Sequence, residues 1–355
     1  KIKLLRNKTE YIKEFSQDDL NIIDKALDDC EKFISTGESE FKIKNNSFEE
    51  IKMMEEKNVI KYILHRYRYE VFPDKKILDN YPPLLQIEPS SVCNFRCVFC
   101  FMTDESFSQK KSKHMGIMSL DTYKRIVDQV EDRVQFVTLA SRGEPLINKQ
   151  LGKMLEYSKD KFLGLKINTN ASLLNEKLIH DILSSDVLTV VFSADAAEKK
   201  TYEKLRVRGN FDKVIKNIKL FKDIKEKHYS EKKIITRVSG VKFSEDQNFN
   251  DVSSFWEEHV DQVAFVKYNP WENSYDKESN GISAPCSDLW RRMFIWWDGK
   301  TNPCDVDYKS ILEVGNINES KVEEIWNNKN YNQLREIHLK GSRQSKKPCS
   351  SCYVT

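Results

Sequence analysis

No apolar run in this chain reaches the roughly 18–20 residues that a membrane-spanning helix needs. Neither sign of charge dominates: 58 basic residues stand against 55 acidic ones, a net of +3. Composition therefore makes no global case for nucleic-acid binding. Lysine runs such as EKKIITR read as parts of solvated faces. There is no internal repeat and no low-complexity tract, so a solenoid or a linker-rich chain has no support. No signal peptide is visible, but the chain begins with Lys1 rather than Met, so that absence carries little weight. Eight cysteines in 355 residues are too few and too clustered for a secreted disulfide scaffold. Metal-held thiolates in a reducing cytoplasm fit them better, and a cytoplasmic location is expected.

What is present suffices for a sizeable core: 39% of residues are hydrophobic and 32% charged. The length suits two or three domains, or one large α/β unit with an appendage. Residues 1–82 are charged and helical in pattern. DDLNIIDKALDDCEKFI places Leu20, Ile23, Leu27 and Cys30 on one apolar stripe, where Cys30 reads as a small buried hydrophobe. A second helical stretch runs through FEEIKMMEEKNVIKYILHRYRYEVF, and Pro82-Pro83 is expected to end it. From Leu84 onward, short apolar segments alternate with amphipathic helical ones. The strands expected are LLQIEPS, QFVTLAS, GLKINTN, VLTVVFSAD, KKIITRVSGV and QVAFVKYNP. This alternation predicts a parallel sheet with crossover helices. Six strands suit a partial (β/α)6 TIM-like barrel, with chemistry at the carboxyl ends of its strands. The expected division is a helical segment 1–82, a barrel 83–281 and a small domain 282–355. In the last, Asp298-Gly299 is the turn of a hairpin and KVEEIWNNKNYNQLREIHL a final helix.

Seven cysteines fall into two sets. SSVCNFRCVFCFM holds Cys93, Cys97 and Cys100 with C-x3-C-x2-C spacing, directly after the first strand. Three thiols are odd for disulfides and one short of a closed tetrahedral site; the nearest histidine downstream is His114. A cubane iron–sulfur cluster takes four thiolates, so three would leave one iron open to a ligand. The second set is Cys286 and Cys304 around Gly299, then the Cys349–Cys352 knuckle. Four thiolates close a site completely, either a zinc ion or a cluster.

The first set, with Phe99 just before its last cysteine, resembles the radical S-adenosylmethionine (SAM) superfamily. Companions at successive strand ends extend the likeness: Gly143-Glu144-Pro145 in SRGEP, Asn168 and Asn170 in NTN, Ser193 in FSAD, and Arg206 thirteen residues later. The resemblance implies a SAM-binding 4Fe-4S cluster on Cys93, Cys97 and Cys100, the catalytic centre of the family. It implies Gly143, Glu144 and Pro145 at the SAM amino group, Ser193 near SAM, and Arg206 pairing with the SAM carboxylate. Arg208 and Arg237 are the alternatives to Arg206. The spacing of the second set is similar to the SPASM/twitch extension, which implies an auxiliary 4Fe-4S cluster on Cys286, Cys304, Cys349 and Cys352. The single-cluster twitch version uses this set; a full SPASM domain continues with further cysteines.

The resemblance implies a 5′-deoxyadenosyl radical that abstracts a substrate hydrogen, and a flavodoxin- or ferredoxin-type electron donor. Two substrate classes compete: the hydroxyl of a sugar, nucleotide-sugar or aminocyclitol, oxidised in dehydrogenase fashion, and a peptide or protein, as in the maturases. The single-cluster cysteine count and the helical start favour the first. Neither a nucleic acid nor a membrane is an expected partner. KYNPWENSY is a candidate substrate contact or a packed linker. WRRMFIWW reads as a wall excluding water, with Arg291 or Arg292 free to meet a phosphate or surface acids. A structural or sensory cluster without catalysis, and a C-terminal zinc knuckle for RNA, are the non-enzyme alternatives.

Overall fold

The computed structural model describes residues 14–245 and 247–355. The described residues begin with three helices: α1 Gln17–Thr36, α2 Asn45–Met53 and α3 Glu56–Lys75. Ser16 and Asp19 form a capping box that starts α1, and Gly37 (φ 77°) ends it. Ile23, Ala26, Leu27 and Cys30 make its buried stripe, and burial pushes the Cys30 thiol up to about 11. The single long helix expected next is two, because Met54 and Glu55 are both extended. It also ends before Pro82. Pro73 removes a donor from the last turn of α3, and Lys76 takes a left-handed conformation (φ 58°) with its N–H on the Phe72 and Pro73 carbonyls.

Six apolar segments then form parallel strands: β1 Leu84–Ile87, β2 Phe136–Leu139, β3 Gly164–Thr169, β4 Val187–Ser193, β5 Ile235–Lys242 and β6 Gln262–Lys267. Their order in the sheet follows the chain, and β1 does not pair with β6, so the barrel is partial. Outward positions such as Val137, Leu139, Leu165, Ile167, Val190, Phe192 and Val238 are buried under the crossover helices. These helices are α4 Leu120–Val130, α5 Leu151–Tyr157, α6 Glu176–Leu183, α7 Lys199–Leu205, α8 Phe211–His228 and α9 Phe249–Glu257. Inward neighbours Lys166, Asn168, Ser193, Arg237 and Ser239 stay partly accessible. This period-two contrast describes a hollow, polar inner face.

The helices α1–α3 close the amino end of that hollow. Phe136, Leu163 and Leu188, near the starts of β2–β4, pack on their core. His65 stacks on Phe136 with ring centroids 4.2 Å apart, and Tyr62 meets the same ring edge-on at 5.7 Å. The carboxyl ends of the strands are thereby left for the site.

The C-terminal segment joins the same sheet. The hairpin β7 Arg292–Ile295 and β8 Lys300–Asn302 turns at Gly299 (φ 86°), as expected, and β9 Gly315–Asn316 follows. β7 pairs in parallel with β1, Leu84 opposite Arg292 and Ile87 opposite Ile295. The nine-stranded order is β9-β8-β7-β1-β2-β3-β4-β5-β6. The single final helix expected is two, α10 Val322–Trp326 and α11 Lys329–Leu339. Asn328 leaves helical geometry and caps α11 by accepting from Tyr331 N.

Candidate active site

β1 delivers the chain directly into the three-cysteine loop, and three neighbouring elements pin that loop. Glu144 N donates to Val92 O at 2.9 Å. Arg96–Cys97 form a short antiparallel ladder with Arg206–Val207, and Val98 N donates to Leu205 O at 3.0 Å. Asn94 bridges to the end of β3, accepting from Asn170 Nδ2 at 3.0 Å and donating to Ser172 Oγ at 2.9 Å. Gly143 lets the loops touch: a Cβ there would lie 2.3 Å from Ser90 O and 2.5 Å from Ser91 C and Val92 O.

Cys93, Cys97 and Cys100 are free thiols inside this frame. Burial pushes Cys93 up to about 12 and raises the other two. A thiol so placed stays protonated unless a cation sits beside it, which iron would supply. Donors suited to thiolate sulfur are in place: Phe95 N lies 3.4 Å from Cys93 Sγ and Arg206 Nη1 3.9 Å from Cys97 Sγ. The thiol chemistry and its donors fit a cluster.

Glu144 is fully buried. Its carboxylate accepts from Thr169 Oγ1 (2.6 Å), Leu146 N (3.1 Å) and Asn170 N (2.7 Å). Burial outweighs those bonds and lifts its pKa to about 7. Pro145 starts a buried turn behind it. Arg206 is buried beside Phe99, its guanidinium 5.6 Å from the ring centroid, and its Nε meets Asp195 Oδ2 at 2.6 Å. Asp195 is thus a partner that the sequence reading omits; its Oδ1 also accepts from Val241 N at 2.7 Å. Ser193 ends β4 opposite Ser239. Asn170 is spent on Asn94 and Ser172, whereas Asn168 presents a buried carbonyl oxygen with no partner. Arg208 is exposed in a left-handed turn (φ 70°), and Arg237 donates to Gln262 Oε1 at 2.8 and 2.5 Å.

The other four cysteines converge. Cys286, Cys304, Cys349 and Cys352 line one cavity of about 260 Å³, together with Trp271, Arg292 and Asp305. Burial raises all four thiols, Cys349 to about 12. Asn269 Nδ2 lies 3.8 Å and Val354 N 3.4 Å from Cys352 Sγ. Among the described residues no group of three or more His, Cys, Asp or Glu is disposed to hold a single metal ion. Thiols ringing a cavity of this size suit a multi-iron cluster rather than one zinc.

A family model of the radical SAM superfamily matches residues 87–236, and one of an iron–sulfur cluster-binding domain, SPASM, matches 286–353. The chain carries a radical SAM domain followed by a SPASM domain. Its cofactors are accordingly a SAM-binding 4Fe-4S cluster, SAM and an auxiliary cluster. The GTP 3′,8-cyclase of Desulforamulus reducens is 26% identical over 206 residues, 55% of this chain and 61% of that protein. The chain spans about half the length of the curated relatives it matches first. Streptococcus suis SuiB bound to its precursor peptide SuiA superposes with a TM-score of 0.59 at 18% identity, covering 82% of this chain and 74% of SuiB. BtrN in complex with AdoMet and 2-DOIA gives 0.51 at 17% identity, covering 76% and 92%. These structures share the fold.

Two features join the radical SAM and SPASM parts. Glu88 and Arg142 form a fully buried, two-pronged pair (2.6 and 2.7 Å), and Arg142 Nη1 also donates to Tyr308 O at 2.9 Å. Phe101, next to Cys100, stacks on Tyr308 (4.9 Å) and Trp271 (6.2 Å). Of the KYNPWENSY segment, Trp271 lines the auxiliary cavity and Asn269 reaches Cys352, while Tyr268 bonds Glu272. Trp296 is fully buried and Trp297 half-buried, but neither lines the auxiliary cavity, so they do not form the wall expected around it; Arg291 and Arg292 both pair with Asp288.

Proposed function

We propose that this radical SAM protein oxidises a hydroxyl of a sugar, nucleotide-sugar or aminocyclitol bound inside the half-barrel. When bound, the first cluster with SAM would supply a 5′-deoxyadenosyl radical, and a cluster held by Cys286, Cys304, Cys349 and Cys352 would supply an electron acceptor. The chain's own residues bind, orient and shield. Cys93, Cys97 and Cys100 hold the first cluster. Gly143, Glu144 and Pro145 shape the SAM amino end, with Ser193 and Asn168 on the inner wall beside it. Arg206 with Phe99 flanks the cysteine loop. The observation that carries the reading is the place of Arg292, which lines the auxiliary cavity and lies on β7, the strand paired in parallel with β1 of the barrel. Asp288, its ion-pair partner, and Asp305, next to Cys304, border the same cavity. The auxiliary site thus abuts the hollow. Thr138, Asn168, Thr189, Ser193 and Ser239 on the inner wall suit a substrate rich in hydroxyls.

The second reading is a peptide maturase. It draws support from the superposition on SuiB, whose structure holds a precursor peptide. The experiment is anaerobic turnover with dithionite and candidate hydroxylated substrates, counting 5′-deoxyadenosine against product by mass spectrometry. The proposal expects one deoxyadenosine per substrate that has lost two hydrogens. A redox-neutral product, such as an epimer, refutes it.

A further inference from the structure

We propose that Lys166 and Arg237 bind an anionic group of the substrate inside the half-barrel. The inference rests on the reading that the hollow is the substrate site, and it narrows the substrate class. Lys166 sits on β3, between Thr138 of β2 and Thr189 of β4, and Arg237 on β5, between Val191 and Gln262. Both occupy the inward, partly accessible positions of their strands. No inward position of β3–β6 carries a carboxylate. Among the described residues neither cation forms an ion pair; Arg237 donates only to the neutral amide of Gln262.

The charged groups facing Lys166 are Arg237, Arg292, Arg66 and Glu50. The other two cations have carboxylates of their own: Arg292 meets Asp288 at 3.2 Å, and Arg66 pairs with Glu70. Glu50 is an acid that acts on both Lys166 and Arg237, and it also accepts from Tyr62 OH at 2.6 Å. The Lys166 ammonium is hemmed in by protein, and its proton affinity drops to about 8. Burial and Arg237 cause that drop, so two cations share a site largely withdrawn from water. Such a surplus is costly unless an anion neutralises it. Asn168 adds an unpartnered buried carbonyl oxygen two residues above Lys166, on the same face. It can accept from a hydroxyl of the same ligand.

A phosphate or a carboxylate fits this pair, whereas an aminocyclitol ammonium is repelled. The substrate is therefore a hydroxylated compound with an acidic group, such as a sugar phosphate, nucleotide-sugar or sugar acid. Lys166 lies three residues below the end of β3, about 10 Å at roughly 3.3 Å per residue. The substrate must bridge that span to reach the cysteine loop.

The test is calorimetric titration of the reconstituted protein, saturated with SAM so that the SAM carboxylate site is filled. The probes are uridine diphosphate and glutarate. At least one should bind the unmodified protein and bind at least about tenfold more weakly to K166M and to R237M. K166R should keep affinity within about threefold, because it keeps the charge. Binding of the diphosphate alone points to a phosphate, and of glutarate alone to a carboxylate. Iron content and melting temperature check that the variants fold. Equal affinity in all proteins, or no binding of either anion to the unmodified one, overturns the proposal. Deoxyadenosine formation by the unmodified protein is read separately, so a failure of anion binding is distinct from a failure of radical chemistry.

Discussion

The Gly143→Ala substitution puts a methyl group 2.3 Å from Ser90 O and 2.5 Å from Ser91 C and Val92 O. Carbon contacts are normally about 3.5 Å or longer, so the two chains must part by about 1 Å. The opposing atoms are backbone, and no rotamer relieves the clash. The same stretch is tied down by Glu144 N on Val92 O and by Asn94 on Asn170. Overpacking of this kind costs about 1–3 kcal/mol, and more where the backbone cannot yield. The displacement falls on Val92, beside Cys93. Anaerobic reconstitution of the unmodified chain should give about eight irons, four per cubane. For G143A we expect a fall toward about four, with the auxiliary cluster retained. Misplacement by about 1 Å costs on the order of 100-fold in rate, so deoxyadenosine formation should drop at least about tenfold. Iron and rate within about twofold of the unmodified protein would refute this account of the loop contact.

Replacing Cys93, Cys97 and Cys100 together by Ala should leave about four irons of about eight; an unchanged count of four before and after would contradict the two-site assignment. Arg142→Met leaves Glu88 buried without its cation, and removing one partner of such a pair costs about 3–5 kcal/mol; denaturant melts would show it, and a loss under about 1 kcal/mol would mean that water reaches Glu88. Lys166 has a folded pKa of about 8 against 10.5 unfolded, so its folded form sheds protons more readily. Its stabilising share is present above pH 10.5 and is lost as pH falls through about 8. K166M should therefore gain on the unmodified protein between those values, by up to about 3 kcal/mol below pH 8, read as unfolding midpoints across pH. A gap that does not change with pH would contradict burial of this lysine.

The parallel strands were legible because their apolar positions repeat every second residue under continuous helical cover. VLTVVFS and GLKINT appear within two residues of the expected limits. The cysteine sets were legible from spacing, and the auxiliary four do line one cavity. Helix α4 (Leu120–Val130) was missed. Its apolar stripe of Tyr123, Ile126, Val127 and Val130 was the signal that could have found it. The breaks at Met54-Glu55 and Asn327-Asn328 escaped because the helical pattern runs on through both. Partners brought in by tertiary structure had no local signal: Asp195 for Arg206 and Glu88 for Arg142 lie far apart or on different elements. The union of β7 with β1 was equally hidden, since a hairpin read by its turn says nothing of which sheet edge it extends.

The most direct measurement is 5′-deoxyadenosine formed from SAM by the anaerobically reconstituted protein under dithionite. The account predicts formation by the unmodified chain and loss to background when Cys93, Cys97 and Cys100 are replaced by Ala. It predicts retention of the auxiliary cluster's absorbance in that variant. No deoxyadenosine from the fully iron-loaded protein, with or without hydroxylated substrates, would contradict it.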